Sequence, residues 1–181
     1  MKRWSYILPV LLYVLFSSCS KDVPEEDVFD NPLDEEEVVY ETPALTLFPL
    51  LIEPTVGSNF PVEVFILEVE NMAGGFVRLK YNRAKLQVLS INAGQFFLDN
   101  AQDPIFITEN NTQDGWIDIH TSFLGSDSIA VSGTGSLAEI VFTSLSAGES
   151  NLTFDAACEL VDPDDNLIQI KGFGVGVVNA Q

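Results

Sequence analysis

The sequence predicts an all-β domain, a β-sandwich or jelly roll, between Phe60 and Val178. Three observations predict it. Short stretches of alternating apolar and polar residues follow one another closely. Gly, Asn, Asp and Pro punctuate them, and no helix-period segment of useful length lies between. Many short strands bounded by turn signals are the pattern of a sandwich. Without a cluster of catalytic residue types, such a domain suits binding a partner better than transforming a substrate.

The first strand pattern, F-P-V-E-V-F-I-L-E-V-E from Phe60, places Phe60, Val62, Val64 and Ile66 on one face and Phe65, Leu67 and Val69 on the other. Two partly apolar faces predict a central strand covered by a second sheet and by loops. Gly74-Gly75 marks a turn or bulge. In the strand that follows, Val77, Leu79 and Tyr81 form the core face, opposite Phe76, Arg78 and Lys80. Next come K-L-Q-V-L-S-I-N-A-G and P-I-F-I-T. In G-W-I-D-I-H-T-S-F, Ile117 and Ile119 point inward and Trp116, Asp118 and His120 outward. S-L-A-E-I-V-F turns Ala138, Ile140 and Phe142 inward and leaves Leu137, Glu139 and Val141 opposite. In D-A-A-C-E-L-V, alternation puts Ala156, Cys158 and Leu160 on one face. The last strand runs from Leu167 to Val178, and its alternate Gly172, Gly174 and Gly176 leave room for neighbouring bulk or a bend.

The N-terminus carries a sorting signal. Lys2 and Arg3 precede an apolar run from Tyr6 to Phe16, too short to span a bilayer. The run ends in L-F-S-S-C and resembles the lipobox of bacterial lipoproteins. There cleavage precedes an acylated cysteine, here Cys19. Phe16 departs from the smaller or aliphatic residue usual at its position. The competing reading is an ordinary secretory signal that contains a cysteine. Residues 20–41 then hold ten acidic side chains and one lysine. Such a stretch predicts a disordered, self-repelling tether with an r.m.s. span of about 25 Å. The lysine and acidic run after Cys19 also resemble a surface-export signal of some Gram-negative lipoproteins. A linker that is merely solvated reads equally well. The expected organisation is therefore a signal peptide over 1–18, a lipidated cysteine and acidic linker over 19–41, and one domain over 42–181. The expected location is the bacterial outer membrane or cell surface, reached through the lipid anchor alone.

Charge excludes some partners. The formal net charge is −19, and from Thr42 onward 17 acidic residues face five basic ones. Nucleic acid is not an expected ligand, because phosphate contacts need Lys and Arg. The two cysteines are Cys19 and Cys158. With Cys19 lipidated, Cys158 has no intramolecular partner and reads as a buried structural thiol, the alternative being a reactive one. A single histidine, His120, supports no catalytic triad. Asp162, Asp164, Asp165 and Asn166 form an acidic turn that lacks the Gly and Glu of an EF-type loop, so it reads as solvated. No catalytic residue, cofactor or metal is expected.

Taken in order, the segments resemble a cohesin module. V-R-L-K-Y-N-R-A-K-L-Q-V-L looks like the cohesin strand that ends in Tyr-Asp and runs into a Leu-Glu-Val-type strand, with Asn82 in place of the usual Asp. I-N-A-G-Q-F-F-L-D looks like the Gly-containing corner after it. G-T-G-S-L-A-E-I-V-F is similar to the Gly-x-Leu/Phe-Ala-x-Ile-x-Phe strand, and L-T-F-D and the closing G-V-G-V-V complete the set. The resemblance covers Thr46 to Val178. It implies a nine-stranded jelly roll that binds a dockerin-like protein through one sheet face and performs no catalysis. It also places the strands of Phe76 and Trp116 in the recognition sheet. Phe76, Arg78, Trp116, Asp118 and His120 are then the candidate partner-binding residues, turned away from Val77, Leu79, Ile117 and Ile119. Where some cohesins carry Asn and Asp on the recognition strand, this chain has Gly74, Gly75 and Phe76. The wider superfamily includes carbohydrate-binding modules, so a polysaccharide is the alternative ligand, and a structural envelope lipoprotein is a third reading.

Overall fold

The structure, a computed structural model, describes residues 39–98, 104–123 and 130–181. Cys19, the signal peptide and the linker up to residue 38 lie outside the described residues.

Two sheets pack face to face. The first contains β1 (Ala44–Phe48), β3 (Asn59–Met72), β5 (Leu86–Ala93), β8 (Val131–Ser144) and β12 (Gly172–Phe173), in the order β12-β1-β3-β8-β5. The second is built on β4 (Gly74–Lys80), which pairs along its whole length with β7 (Trp116–Ser122). β6 (Ile105–Asn111) pairs with β7 beyond it. On its other side β4 meets β10 (Glu159–Val161) and β9 (Gly148–Phe154). β13 (Val175–Ala180), β2 (Leu51–Ile52) and β11 (Leu167–Ile168) complete this sheet, and α1 (Gln95–Leu98) is a single helical turn.

The described residues form thirteen strand segments where nine strands were expected. The expected closing strand accounts for much of the difference, because it is broken into β11, β12 and β13. β12 runs parallel to β1 in the first sheet, whereas β13 pairs with β9 in the second. The chain changes sheets at Gly174. A Cβ there would stand 2.4 Å from Thr46 Oγ1, so only glycine lets it pass this close to β1.

The core lies between the sheets. The first sheet supplies Leu45, Leu47, Val62, Val64, Ile66, Ile140 and Phe142, and the second Val77, Leu79, Ile117, Ile119 and Leu152, all at most 3% exposed. Phe142 is its aromatic centre, stacked on Phe60 at 6.0 Å and edge-on to Tyr81 at 5.7 Å. Burying a side chain of this size stabilises by about 1.5–3 kcal/mol. Tyr81 keeps its polar tip satisfied by donating to Asn110 Oδ1 at 2.8 Å, and burial raises its pKa.

Three face assignments differ from the alternation. Leu137, expected opposite Ala138, is 1% exposed and sits in the core. The β3–β8 register slips between Val64 and Phe65, where Ala138 and Ser136 are the successive partners and Leu137 is the extra residue. A bulge of this kind breaks the two-residue period. Val69, expected on the face of Leu67, also joins the core after a second slip beyond Ile66, next to Glu68 at φ 47°. Ala156 is exposed because it lies in a turn before β10, whereas Cys158 and Leu160 are buried as expected. Leu67 does face away from the core, under a small cluster of Tyr40, Ala44, Phe48 and Leu50.

The acidic turn satisfies itself. Asp162 Oδ1 accepts from the backbone N–H groups of Asp164 and Asn166, each at 2.9 Å, and Asn166 Nδ2 donates to Oδ2 at 3.0 Å. These bonds, led by that from the Asn166 side chain, hold the Asp162 pKa below the usual carboxylate value.

Candidate partner-binding face

The outer face of the second sheet brings all five candidate residues together. Antiparallel register sets Phe76 opposite His120, Arg78 opposite Asp118 and Lys80 opposite Trp116. Because Val77, Leu79, Ile117 and Ile119 are committed to the core, strand alternation forces the intervening side chains outward.

Arg78 organises the face. Its Nε donates to Asp118 Oδ1 and its Nη2 to Oδ2, both at 2.6 Å. This is the planar fork-to-carboxylate pairing that arginine makes and lysine does not. The guanidinium carbon lies 4.1 Å from the centroid of the Trp116 ring and 5.5 Å from that of Phe76. Phe76 in turn stacks on His120 at 4.9 Å and 30°. The hydrogen bond to Asp118 is the main reason the Arg78 pKa is raised. Asp118 points outward as expected, yet it is only 6% exposed.

Two further groups brace Arg78 and Lys80. Lys80 forms an ion pair with Asp155, which lowers the Asp155 pKa together with a hydrogen bond from the Ala157 backbone. Beneath the strand, the Arg78 N–H donates to Cys158 Sγ at 3.3 Å. Cys158 is buried, as the alternation predicted, and burial pushes its pKa up.

The glycine pair has a packing cause. A Cβ on Gly74 would stand 2.9 Å from the Thr121 carbonyl oxygen, and one on Gly75 2.8 Å from Leu160 Cδ2. Side chains of the Asn and Asp type have no room there.

Sequence reasoning missed the borders of the face. Ile107, 59% exposed, is the register partner of His120, and Glu109 that of Asp118. Glu159 pairs with Phe76 from the other side. P-I-F-I-T alternates, but the sequence does not say which of its two faces meets the core. The face as a whole offers an arginine anchor, aromatic edges, one exposed isoleucine and flanking carboxylates. The His120 ring is packed on Phe76. Among the described residues no three His, Cys, Asp or Glu side chains converge.

A family model described as cohesin domain matches residues 52–174. The chain belongs to the cohesin family. Cohesins are binding modules rather than a catalytic family. Among solved structures, a non-cellulosomal cohesin from the archaeon Archaeoglobus fulgidus is 20% identical, with a TM-score of 0.59 over 76% of this chain and 91% of that one. A type II cohesin domain from the cellulosome of Acetivibrio cellulolyticus is 19% identical, with a TM-score of 0.64 over 75% and 93%. A type I cohesin–dockerin complex from Clostridium thermocellum is 18% identical, with a TM-score of 0.62 over 76% and 98%. At these identities the likeness concerns the sandwich fold. No curated protein matches the chain.

Proposed function

We propose that this cohesin, a jelly roll closed by a strand that crosses between its sheets, is a lipid-anchored bacterial surface module. It captures a dockerin-like protein through the outer face of its second sheet. The observation that carries the reading is the Arg78 cluster. A guanidinium held by two bonds to Asp118 and flanked by Trp116 and Phe76 is already fixed before a partner arrives. Little side-chain entropy then remains to be lost on binding, and Arg and Trp are the residue types that most often anchor interfaces. Cohesin–dockerin complexes among the similar structures support the same partner class. Polysaccharide capture fits the face less well. Sugars stack on open aromatic faces, whereas Trp116 lies against a guanidinium and Phe76 against His120.

Two measurements test the proposal. The purified protein is titrated calorimetrically with a panel of dockerin modules and with soluble polysaccharides. A one-to-one dockerin complex with Kd below about 1 μM, unaffected by sugar, is expected. Saturable binding to polysaccharide with no dockerin bound would replace this reading with the alternative. Cys19→Ser should abolish acyl labelling and move the protein out of the membrane fraction. Retention after a carbonate wash would refute anchoring through Cys19.

A further inference from the structure

We propose that the Arg78 face receives the C-terminal end of a partner helix. Arg78 takes the uncharged main-chain carbonyls that end the helix, and Glu109 and Glu159 take basic side chains from its last turn. The inference rests on the partner reading above and names the chemistry that the partner brings to it.

Arg78 defines the first half. A guanidinium carries five N–H donors. The fork to Asp118 uses one on Nε and one on Nη2, and the Arg78 side chain makes no other hydrogen bond among the described residues. Three donors are therefore unspent, on a side chain that keeps 30% of its surface. Charge decides which acceptor they meet. Asp118 already neutralises the guanidinium, and Asp155 adds a second negative field. A partner carboxylate at Arg78 would approach both, and like charges at close range repel. A carbonyl oxygen meets far less opposition. The last four C=O groups of a helix have no partner within it, and together they hold only a partial negative charge. They suit an arginine that has donors left but no charge to spare.

The flanks define the second half. The ion pairs Arg78–Asp118 and Lys80–Asp155 consume both cations of the face. Glu109 and Glu159 are exposed and have no ion-pair partner among the described residues. The register sets Glu159 of β10 beside Phe76 and Glu109 of β6 beside Asp118, on opposite sides of Arg78. Three strand spacings, about 14 Å, separate β10 from β6. A helix with its side chains is about 10–12 Å across, so one seated end-on at Arg78 brings its last turn within reach of both glutamates. Lys and Arg are favoured in that turn, because they offset the same partial negative charge that suits Arg78. Ile107, 59% exposed beside His120, adds an apolar contact on the β6 side.

The test uses the full chain carrying Cys19→Ser and, as probe, a dockerin module that binds in the calorimetric panel. The double variant Glu109→Gln, Glu159→Gln should weaken binding at least about fivefold and flatten its dependence on sodium chloride. Its Tm should stay within about 2 °C of the parent, because both side chains are exposed. Arg78→Lys keeps the charge but loses the fork, and should weaken binding at least about tenfold. Each Asp, Glu, Lys and Arg of the dockerin is then neutralised in turn. In double-mutant cycles the glutamine variant should couple to at least one basic residue, and Arg78→Lys to no acidic one. Coupling of Arg78 to a dockerin carboxylate overturns the proposal, as does a glutamine variant that binds as tightly as the parent. If Arg78→Lys unsettles the fold, its Tm shows it and the glutamine variant decides alone. Either overturning result leaves dockerin capture standing. The absence of any dockerin complex removes the capture reading and this inference together, so the two failures are distinct.

Discussion

Arg78 and Asp118 face each other across β4 and β7 and are joined by two hydrogen bonds of 2.6 Å. The carboxylate is nearly covered, with 8% of its side chain exposed, whereas the arginine keeps 30%. The asymmetry matters. Asp118 relies on Arg78 to offset the loss of water, while Arg78 retains an accessible surface with which to meet a partner.

Removing one member alone should therefore be worse than removing both. Arg78→Ala strands a buried carboxylate, whereas the double variant Arg78→Ala, Asp118→Ala leaves no charge unpaired. The double variant is expected to melt no lower than Arg78→Ala, and both should bind the partner at least about tenfold more weakly. Additive losses of Tm in a double-mutant cycle would show the pair to be energetically uncoupled.

Phe142 tests the core. It is fully buried between Phe60 and Tyr81. Phe142→Ala should cost about 3–5 kcal/mol in denaturant melts, through lost burial and the cavity left behind. A loss below about 1 kcal/mol would contradict the packing described.

Most core faces were legible because strand side chains alternate and one side of each sheet is buried. Val62, Val64, Val77, Leu79, Ile117, Ile119, Ile140 and Phe142 all follow that rule. It failed where the register slips. Leu137 and Val69 entered the core through bulges that depend on the pairing of β3 with β8, strands more than fifty residues apart in the chain. The composition of the Arg78 face was legible for the same reason that the core was. The pairing of Arg78 with Asp118 required knowing which residues of β4 and β7 stand opposite each other.

The acidic turn gives a pH dependence of known sign. The Asp162 pKa is lowered in the folded state, so its contribution is complete above the unfolded value of about 3.9 and is lost as pH falls through the folded pKa. Asp162→Asn keeps an oxygen for the N–H groups of Asp164 and Asn166 but cannot titrate. The variant should melt below the parent at pH 7, and the gap should close as pH drops below about 4. A gap that is the same at pH 7 and pH 3 would mean that the charge of Asp162 does not hold the turn.

Trp116 decides whether the face recognises or merely covers. Its ring is half-buried under the Arg78 guanidinium, with no role in the core between the sheets. If the face binds a protein, Trp116→Ala removes both an anchor and the surface that fixes Arg78. Truncating such an anchor typically costs about 2 kcal/mol or more, which is at least about thirtyfold in Kd. Tm should change by less than about 3 °C, because the variant opens no cavity between the sheets. If Trp116 only shields the Arg78–Asp118 pair from water, the same substitution lowers Tm clearly and leaves affinity where it was. Measuring both quantities on one variant separates the two roles. Phe76→Ala is the companion, since Phe76 touches Arg78 from the other side and should weaken binding in the same direction.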